Sequence, residues 1–391
     1  MSREAESESR SRALAAALAG AGLSAWGLVS RPALEEACAR LPQAVRAKFG
    51  VDAAKGAVAA ALAYGTGPRE SPTWAQGYGG PPLSVARFAR ADWYAELSSR
   101  LRAAAARTRE SLAAQGLEPG AARNWRHLAN SGLPEKPLAL AAGLGRLGRN
   151  GLVIVRAEPE GGGVEIGPGV VLGLLLLPFE PCLPVGWPEK RPGLRSDAGR
   201  EARPGGRLWG QGAALPEAFI PGGLCGSCRA CVEACPTGAL GEDGAFARER
   251  CIQHWTAREG ALPPAVEAAW GDRLYGCEAC LEACPFYRPE AEEGAPGRAA
   301  DAGFVGAGSA DAALIGAAPA AGEARGGAAP SSAAPACFRG ALGPSLPAGF
   351  FLTESEAAIR ERLRGTALGL GWMSVEAFRR SARLALSRRK A

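Results

Sequence analysis

Histidine is scarce in this chain of 391 residues: His127 and His254 are the only two. That argues against a metal centre built on imidazoles, and each one alone reads as a surface or capped side chain. Long apolar runs are missing as well. The longest aliphatic stretch, Val170 to Leu177, is interrupted by Gly173 and falls far short of the roughly 20 residues that cross a bilayer. Residues 13–18 imitate a secretory signal core, but Glu4, Glu6 and Glu8 precede them where such a signal is positively charged. The expectation is therefore a cytoplasmic protein without membrane contact. No Walker phosphate loop is present. The balance of 45 Lys and Arg against 39 Asp and Glu gives a net charge of +6, a mild bias toward polyanions and no more.

Cysteine, by contrast, is patterned. The run Cys225-Gly-Ser-Cys228-Arg-Ala-Cys231-Val-Glu-Ala-Cys235-Pro236 has the C-x₂-C-x₂-C-x₃-C-P spacing of a bacterial-type cubane site, whose fourth cysteine ligates the other cluster in two-cluster ferredoxins. A second run, Cys277-x₂-Cys280-x₃-Cys284-Pro285, is one cysteine short, and Cys251 lies between the runs to supply it. Eight thiols suffice for two [4Fe–4S] clusters. The crossed assignment puts Cys225, Cys228, Cys231 and Cys284 on one, with Cys235, Cys251, Cys277 and Cys280 on the other. Zinc ribbons and disulfides are the alternatives, and zinc favours C-x₂₋₄-C pairs without the C-P endings. Cys38, Cys182 and Cys337, scattered singly, read as buried or incidental thiols of a reducing compartment.

The remaining sequence predicts an α+β architecture. Helices are expected over residues 10–20, 31–49 and 92–115, and strands over 23–29, 57–64 and 170–177. Residues 138–155 read as helix, glycine-rich turn and strand, an order opposite to that of a dinucleotide fingerprint. Four regions follow: an α/β part over residues 1–221, a ferredoxin-like part over 222–288, an Ala/Gly/Pro/Ser-rich linker over 289–349, and a helical basic region over 350–391. The linker cannot bury enough apolar surface to offset its chain entropy. Thr353 and Glu356 suggest a capping box. The last helix gathers Arg379, Arg380, Arg383, Arg388, Arg389 and Lys390, either a solvated face or a nucleic-acid surface. The run Gly143-Leu-Gly145-Arg-Leu-Gly148-Arg-Asn-Gly151 is either a plain tight turn or the docking surface through which the clusters feed a second redox centre.

The block from Pro137 to Val155, the segment Gly169 to Gly173, the cysteine runs and Arg250-Cys251-Ile252-Gln253-His254-Trp255-Thr256 together resemble the epoxyqueuosine reductase family. Residues 22–29, 87–94, 362–368 and 378–385 are similar too, so the resemblance covers most of the chain outside the linker. It implies a corrinoid-binding α/β domain, two [4Fe–4S] clusters, a base-off cobalamin, an external low-potential electron donor and a tRNA substrate for a monomeric enzyme. It carries the corrinoid contacts onto Val153, Val171, Gln253, Cys277 and Glu278. One position departs from the pattern. The family has an aspartic acid thirteen residues before the alanine of its Ala-Gly-Leu-Gly motif, and counting back from Ala142 lands on Ala129. Alanine cannot donate a proton, so Glu135 or Asp92 is the substitute, or the chemistry differs. The alternatives are a corrinoid-binding electron-transfer or reactivation protein without epoxide chemistry and a corrinoid reductive dehalogenase, whose exported forms carry a twin-arginine leader not seen here.

Overall fold

The computed structural model describes residues 3–65, 67–157, 164–182, 224–242, 244–287 and 341–389. Residues 289–340, with Cys337, and Lys390 lie outside them. The N-terminal part runs α1 (Arg3–Ala19), β1 (Ala25–Ser30), α2 (Arg31–Cys38), α3 (Gln43–Phe49), β2 (Gly56–Ala63), β3 (Pro82–Val85), α4 (Trp93–Ala114), β4 (Arg126–Ala129), α5 (Glu135–Ala141), β5 (Gly145–Leu147), β6 (Val153–Ala157), β7 (Val164–Gly167) and β8 (Val170–Leu177). The cysteine segment contributes α6 (Ala230–Glu233), α7 (Ile252–Trp255), α8 (Pro264–Ala268), β9 (Arg273–Tyr275) and α9 (Ala279–Glu282). Last come β10 (Ser345–Pro347), α10 (Ala348–Thr353), α11 (Glu356–Leu363) and α12 (Val375–Arg388).

A four-stranded antiparallel sheet, ordered β1-β2-β8-β4, forms the centre of the N-terminal part. Its middle strands, GAVAAALA and VVLGLLLL, show no polar alternation because both faces are covered. On one side Leu14 and Leu18 of α1 and Leu97 and Leu101 of α4 pack on Val58, Val171 and Leu175. On the other, Leu34 of α2 and Leu138 of α5 pack on Ala57, Ala59, Leu174 and Leu176, beside Leu147 and Val153 of the β5-β6-β7 sheet. A smaller sheet, β10-β3-β9, takes one strand from each part of the chain. Phe350, Phe351 and Phe378 fill the core beneath it.

Several expectations need correction. The helix expected over 31–49 is two: α2 ends at Cys38, Pro42 has no amide N–H to continue its ladder, and Pro42 instead precedes α3, which starts at Gln43. The capping residue of α11 is Ser355, whose Oγ accepts from Ala358 N at 3.2 Å, while Thr353 Oγ1 donates back to Gly349 O at 2.9 Å inside α10. The expected linker, running to 349, overlaps ordered chain: Leu346 and Ala348 are fully buried and β10 pairs with β3.

Candidate functional site

The glycine run forms more than a turn. Gly145–Leu147 pairs with Val153–Val155 as a hairpin, closed by Gly148 N to Leu152 O at 2.8 Å. Its tip carries two residues that reach the cysteine segment. Arg149 N donates to Cys225 Sγ at 3.3 Å, and its guanidinium donates to the carbonyls of Gly226, at 2.9 Å, and Glu242. Asn150 Nδ2 donates to Cys280 O at 3.4 Å. Two glycines allow close approach elsewhere along this seam. A Cβ on Gly167 (φ 80°) would stand 2.0 Å from Phe286 O, and one on Gly276 (φ 92°) 2.3 Å from the Ala86 Cβ.

The thiols gather in two sets. Cys225, Cys228, Cys231 and Cys284 line one cavity, closed by Arg149, Asn150 and Ile154. Burial pushes the Cys284 thiol up to about 11 against the Phe286 N–H, with Cys225, Cys231 and Cys228 raising it further. In the second set, burial pushes Cys280 up to about 12, and Cys277, Cys251 and Cys235 add to it, as does Cys231 from the first set. Burial also raises Cys251, with Cys277 and Cys235 contributing in the same direction. Cys235 is desolvated too, yet the N–H groups of Thr237 and Ala239, the latter 3.2 Å from Sγ, leave it lowered. Thiolates so close need cationic charge among them. Among the described residues no three His, Cys, Asp or Glu converge on a single-ion site. A cube asks for something else, one thiolate at each of four irons around a cavity, and the donor sets fit it. Cys38 is fully buried, pushed up to about 11 chiefly by burial, and belongs to the α2 core. Cys182 is partly buried and its N–H donates to Ser11 Oγ at 2.7 Å.

Of the expected corrinoid contacts, three adjoin. Gln253 Oε1 accepts from Cys277 N at 3.2 Å, and its side chain also bonds Tyr275. The next residue, Glu278, accepts from Arg87 N through Oε2 at 2.7 Å, while its Oε1 is buried without a partner. Burial raises its carboxyl despite Arg87 and Arg90. Val153 and Val171 are apart from these, 3% and 2% exposed in core layers on opposite faces of the sheet.

Ala129 ends β4 opposite Gly173, and Asn130 after it is the one non-glycine residue with positive φ (50°) among the described residues. That turn leads to Glu135 at the start of α5. Ser131 N and Oγ donate to Glu135 Oε1 at 2.9 and 3.2 Å. Desolvation nonetheless pushes this carboxyl up to about 7. Asp92 is instead a helix cap: its Oδ1 accepts from Ala95 N at 3.0 Å at the head of α4. Lys136, to which sequence reasoning gave no role, is desolvated and lowered to about 8, with Cys280 acting in the opposite sense. Its one sequence signal is a charge within the apolar-and-proline stretch from Leu133 to Leu144.

Part of the basic stripe of α12 is committed to carbonyls of the chain. Arg379 donates to Phe351 O and Glu354 O at 3.2 and 3.0 Å, and Arg388 donates to Gly271 O at 3.1 Å. Arg383 pairs with Glu376 at 2.6 Å, and Arg389 is exposed. His127 lies between Ser98 Oγ and Arg102 Nε, and His254 packs edge-on to Trp255.

The fold and the paired thiol sets define a protein with a double-cluster ferredoxin segment docked on an α+β part. Residues 224–287 match the family described as a 4Fe-4S double cluster binding domain, which gives two [4Fe–4S] clusters. The chain is 46% identical over 63 residues to the epoxyqueuosine reductase of Bacillus subtilis, 16% of each protein. It is 32% identical over 158 residues to that of Staphylococcus aureus, 40% of this chain and 30% of the relative. The aligned stretches thus span less than a third of these relatives' length. The solved epoxyqueuosine reductase of Streptococcus thermophilus shares the fold, with a TM-score of 0.55, 18% identity, and coverage of 95% of this chain and 79% of the other. A solved epoxyqueuosine reductase with an epoxyqueuosine-modified tRNA stem loop matches with a TM-score of 0.52 at 20% identity, over 96% and 80%. The resemblance to the epoxyqueuosine reductase family is borne out, in sequence over stretches of 63 to 158 residues and in fold over nearly the whole chain.

Proposed function

We propose that this chain is an iron–sulfur reductase of the epoxyqueuosine reductase type, acting on the epoxide of a modified tRNA base. The observation that carries the reading is the glycine hairpin touching both thiol sets at once, through Arg149 to Cys225 and Asn150 to Cys280. Two clusters, ligated as the two thiol sets suggest, pass electrons singly. Removing an epoxide oxygen as water takes two electrons and two protons, so the chain needs an external low-potential donor and an acid. Glu135 is the acid this reading assigns: its Oε1 is held by Ser131, and a carboxyl near 7 is half-protonated at neutral pH. The edge formed by Gln253, Cys277 and Glu278 fits a corrinoid, because the orphaned Glu278 Oε1 needs a polar partner. Cobalamin bound there would supply a cobalt centre reducible by one electron at a time. Val153 and Val171 would hold it only through backbone or a shifted layer.

The test is anaerobic reconstitution with cobalamin and a chemical reductant, followed by turnover of epoxyqueuosine-containing tRNA, read by mass spectrometry as loss of one oxygen. A second reading, a corrinoid-binding electron-transfer protein without epoxide chemistry, is favoured by Ala129 standing where the family has its acid. Corrinoid binding without turnover would select it.

A further inference from the structure

A lysine side chain withdrawn from water is costly unless something anionic compensates it. Lys136 is half-buried, with its ammonium desolvated. Among the hydrogen bonds of its ammonium, one goes to the carbonyl of Gly151 at 2.7 Å. Gly151 closes the hairpin tip, and the residue before it, Asn150, reaches the Cys280 carbonyl at 3.4 Å. The ammonium is thereby held one residue along the tip from the contact with Cys280. Cys280 acts on it in the direction that favours its protonated form. The other set has a different arrangement. Arg149 meets it through a backbone N–H on Cys225 Sγ, while its guanidinium points away to the carbonyls of Gly226 and Glu242.

We infer that Lys136 is the built-in counter-charge of the cluster held by Cys235, Cys251, Cys277 and Cys280, and that it raises that cluster's reduction potential relative to the other. The inference rests on the two-cluster reading. A [4Fe–4S] cube with four thiolates carries a charge of about −2 oxidised and −3 reduced, so one added electron deepens the negative charge. A fixed cation in a water-poor setting favours the reduced form. Electrons then run downhill toward the cluster beside Gln253 and Glu278. Lys136 holds charge at a stated place and touches no substrate, so it is a positioning residue for electron flow.

The experiment is a dithionite titration of the full chain, with both clusters followed by electron paramagnetic resonance. The cluster of interest is the one whose signal disappears in Cys251→Ala. Lys136→Met and Lys136→Gln should move its midpoint to lower potential and leave the other in place, and Lys136→Arg should restore it. Glutamine keeps a donor for the Gly151 carbonyl without the charge, so it carries the test if methionine loses iron. Unchanged midpoints in a protein that shows both signals would overturn the inference and leave the two-cluster reading standing. Equal shifts of both clusters would overturn it too, and a wild-type chain with a single cluster signal would remove the two-cluster reading and this inference together.

Discussion

The Arg380 guanidinium stacks on Trp270, 5.1 Å from the ring centroid, and donates to three backbone carbonyls: Trp255 O at 2.7 Å and Arg258 O and Gly260 O at 2.9 Å. Those carbonyls belong to the end of α7 and the loop that follows it, so one side chain of the last helix staples the segment that brings in the lone cysteine. A planar fork with several donors suits this, and lysine cannot reproduce it.

Arg380→Ala should therefore lower stability by about 2 kcal/mol, on the scale of hydrogen bonds to charged groups. It should also loosen the cluster that depends on Cys251 before the other. Thermal unfolding together with iron loss under a chelator measures both. A variant with normal stability and equal loss from the two clusters would show that Arg380 does not hold this loop.

Anaerobically purified protein should carry about eight irons and eight sulfides per chain. Cys251→Ala should reduce this by roughly half, since one set loses a corner. Replacing Cys38 or Cys182 should leave iron per folded chain unchanged, because neither adjoins a set. An iron content near half the expected value that Cys251→Ala does not alter would rule out the crossed assignment.

Glu135 gives a pH prediction with a definite sign. Its folded pKa, about 7, lies above its ordinary value of 4.5, so the folded chain binds more protons between those limits and stability falls as pH rises through that window. Glu135→Gln mimics the protonated acid. It should raise the melting temperature at pH 8 relative to wild type, do little at pH 4.5, and abolish turnover if Glu135 is the donor. Wild-type turnover should decline as pH rises through about 7, where the acid form disappears. A Glu135→Gln enzyme with full activity and an unchanged pH profile would remove Glu135 from that role.

Much of this was legible in the sequence because spacing alone reports it. Cys225 to Cys235 and Cys277 to Cys284 announce themselves, and strands buried on both faces, such as Val170–Leu177, read as continuous apolar runs. Asp92 before a long amphipathic stretch read correctly as a helix start, though not as a cap that excludes it from acid chemistry. What spacing could not carry was partnership over long range. Nothing local distinguishes Arg380, which grips a loop some 120 residues earlier in the chain, from exposed Arg389. Nor does sequence reveal that Lys136 meets the hairpin tip at Gly151, since that contact depends on how α5 and the β5–β6 hairpin pack.

The carbonyl contacts of α12 change which residues can meet RNA. Arg379, Arg380 and Arg388 are committed to carbonyls of the chain, so reversing them should damage folding and the cluster loop rather than a phosphate contact. Arg383, with its side chain 58% exposed, and Arg389 remain on the outer face. If that face meets tRNA, the log–log salt slope should carry about −0.7 to −0.9 per phosphate contact. Arg383→Glu combined with Arg389→Glu should then weaken binding across tRNA sequences and flatten the slope by one or two contacts, with iron content unchanged. Binding isotherms over a range of salt concentrations, run beside iron assays, measure both. A slope unchanged by the double reversal would place the RNA surface away from α12. Absence of tRNA binding at low salt in a fully loaded protein would favour the electron-transfer reading.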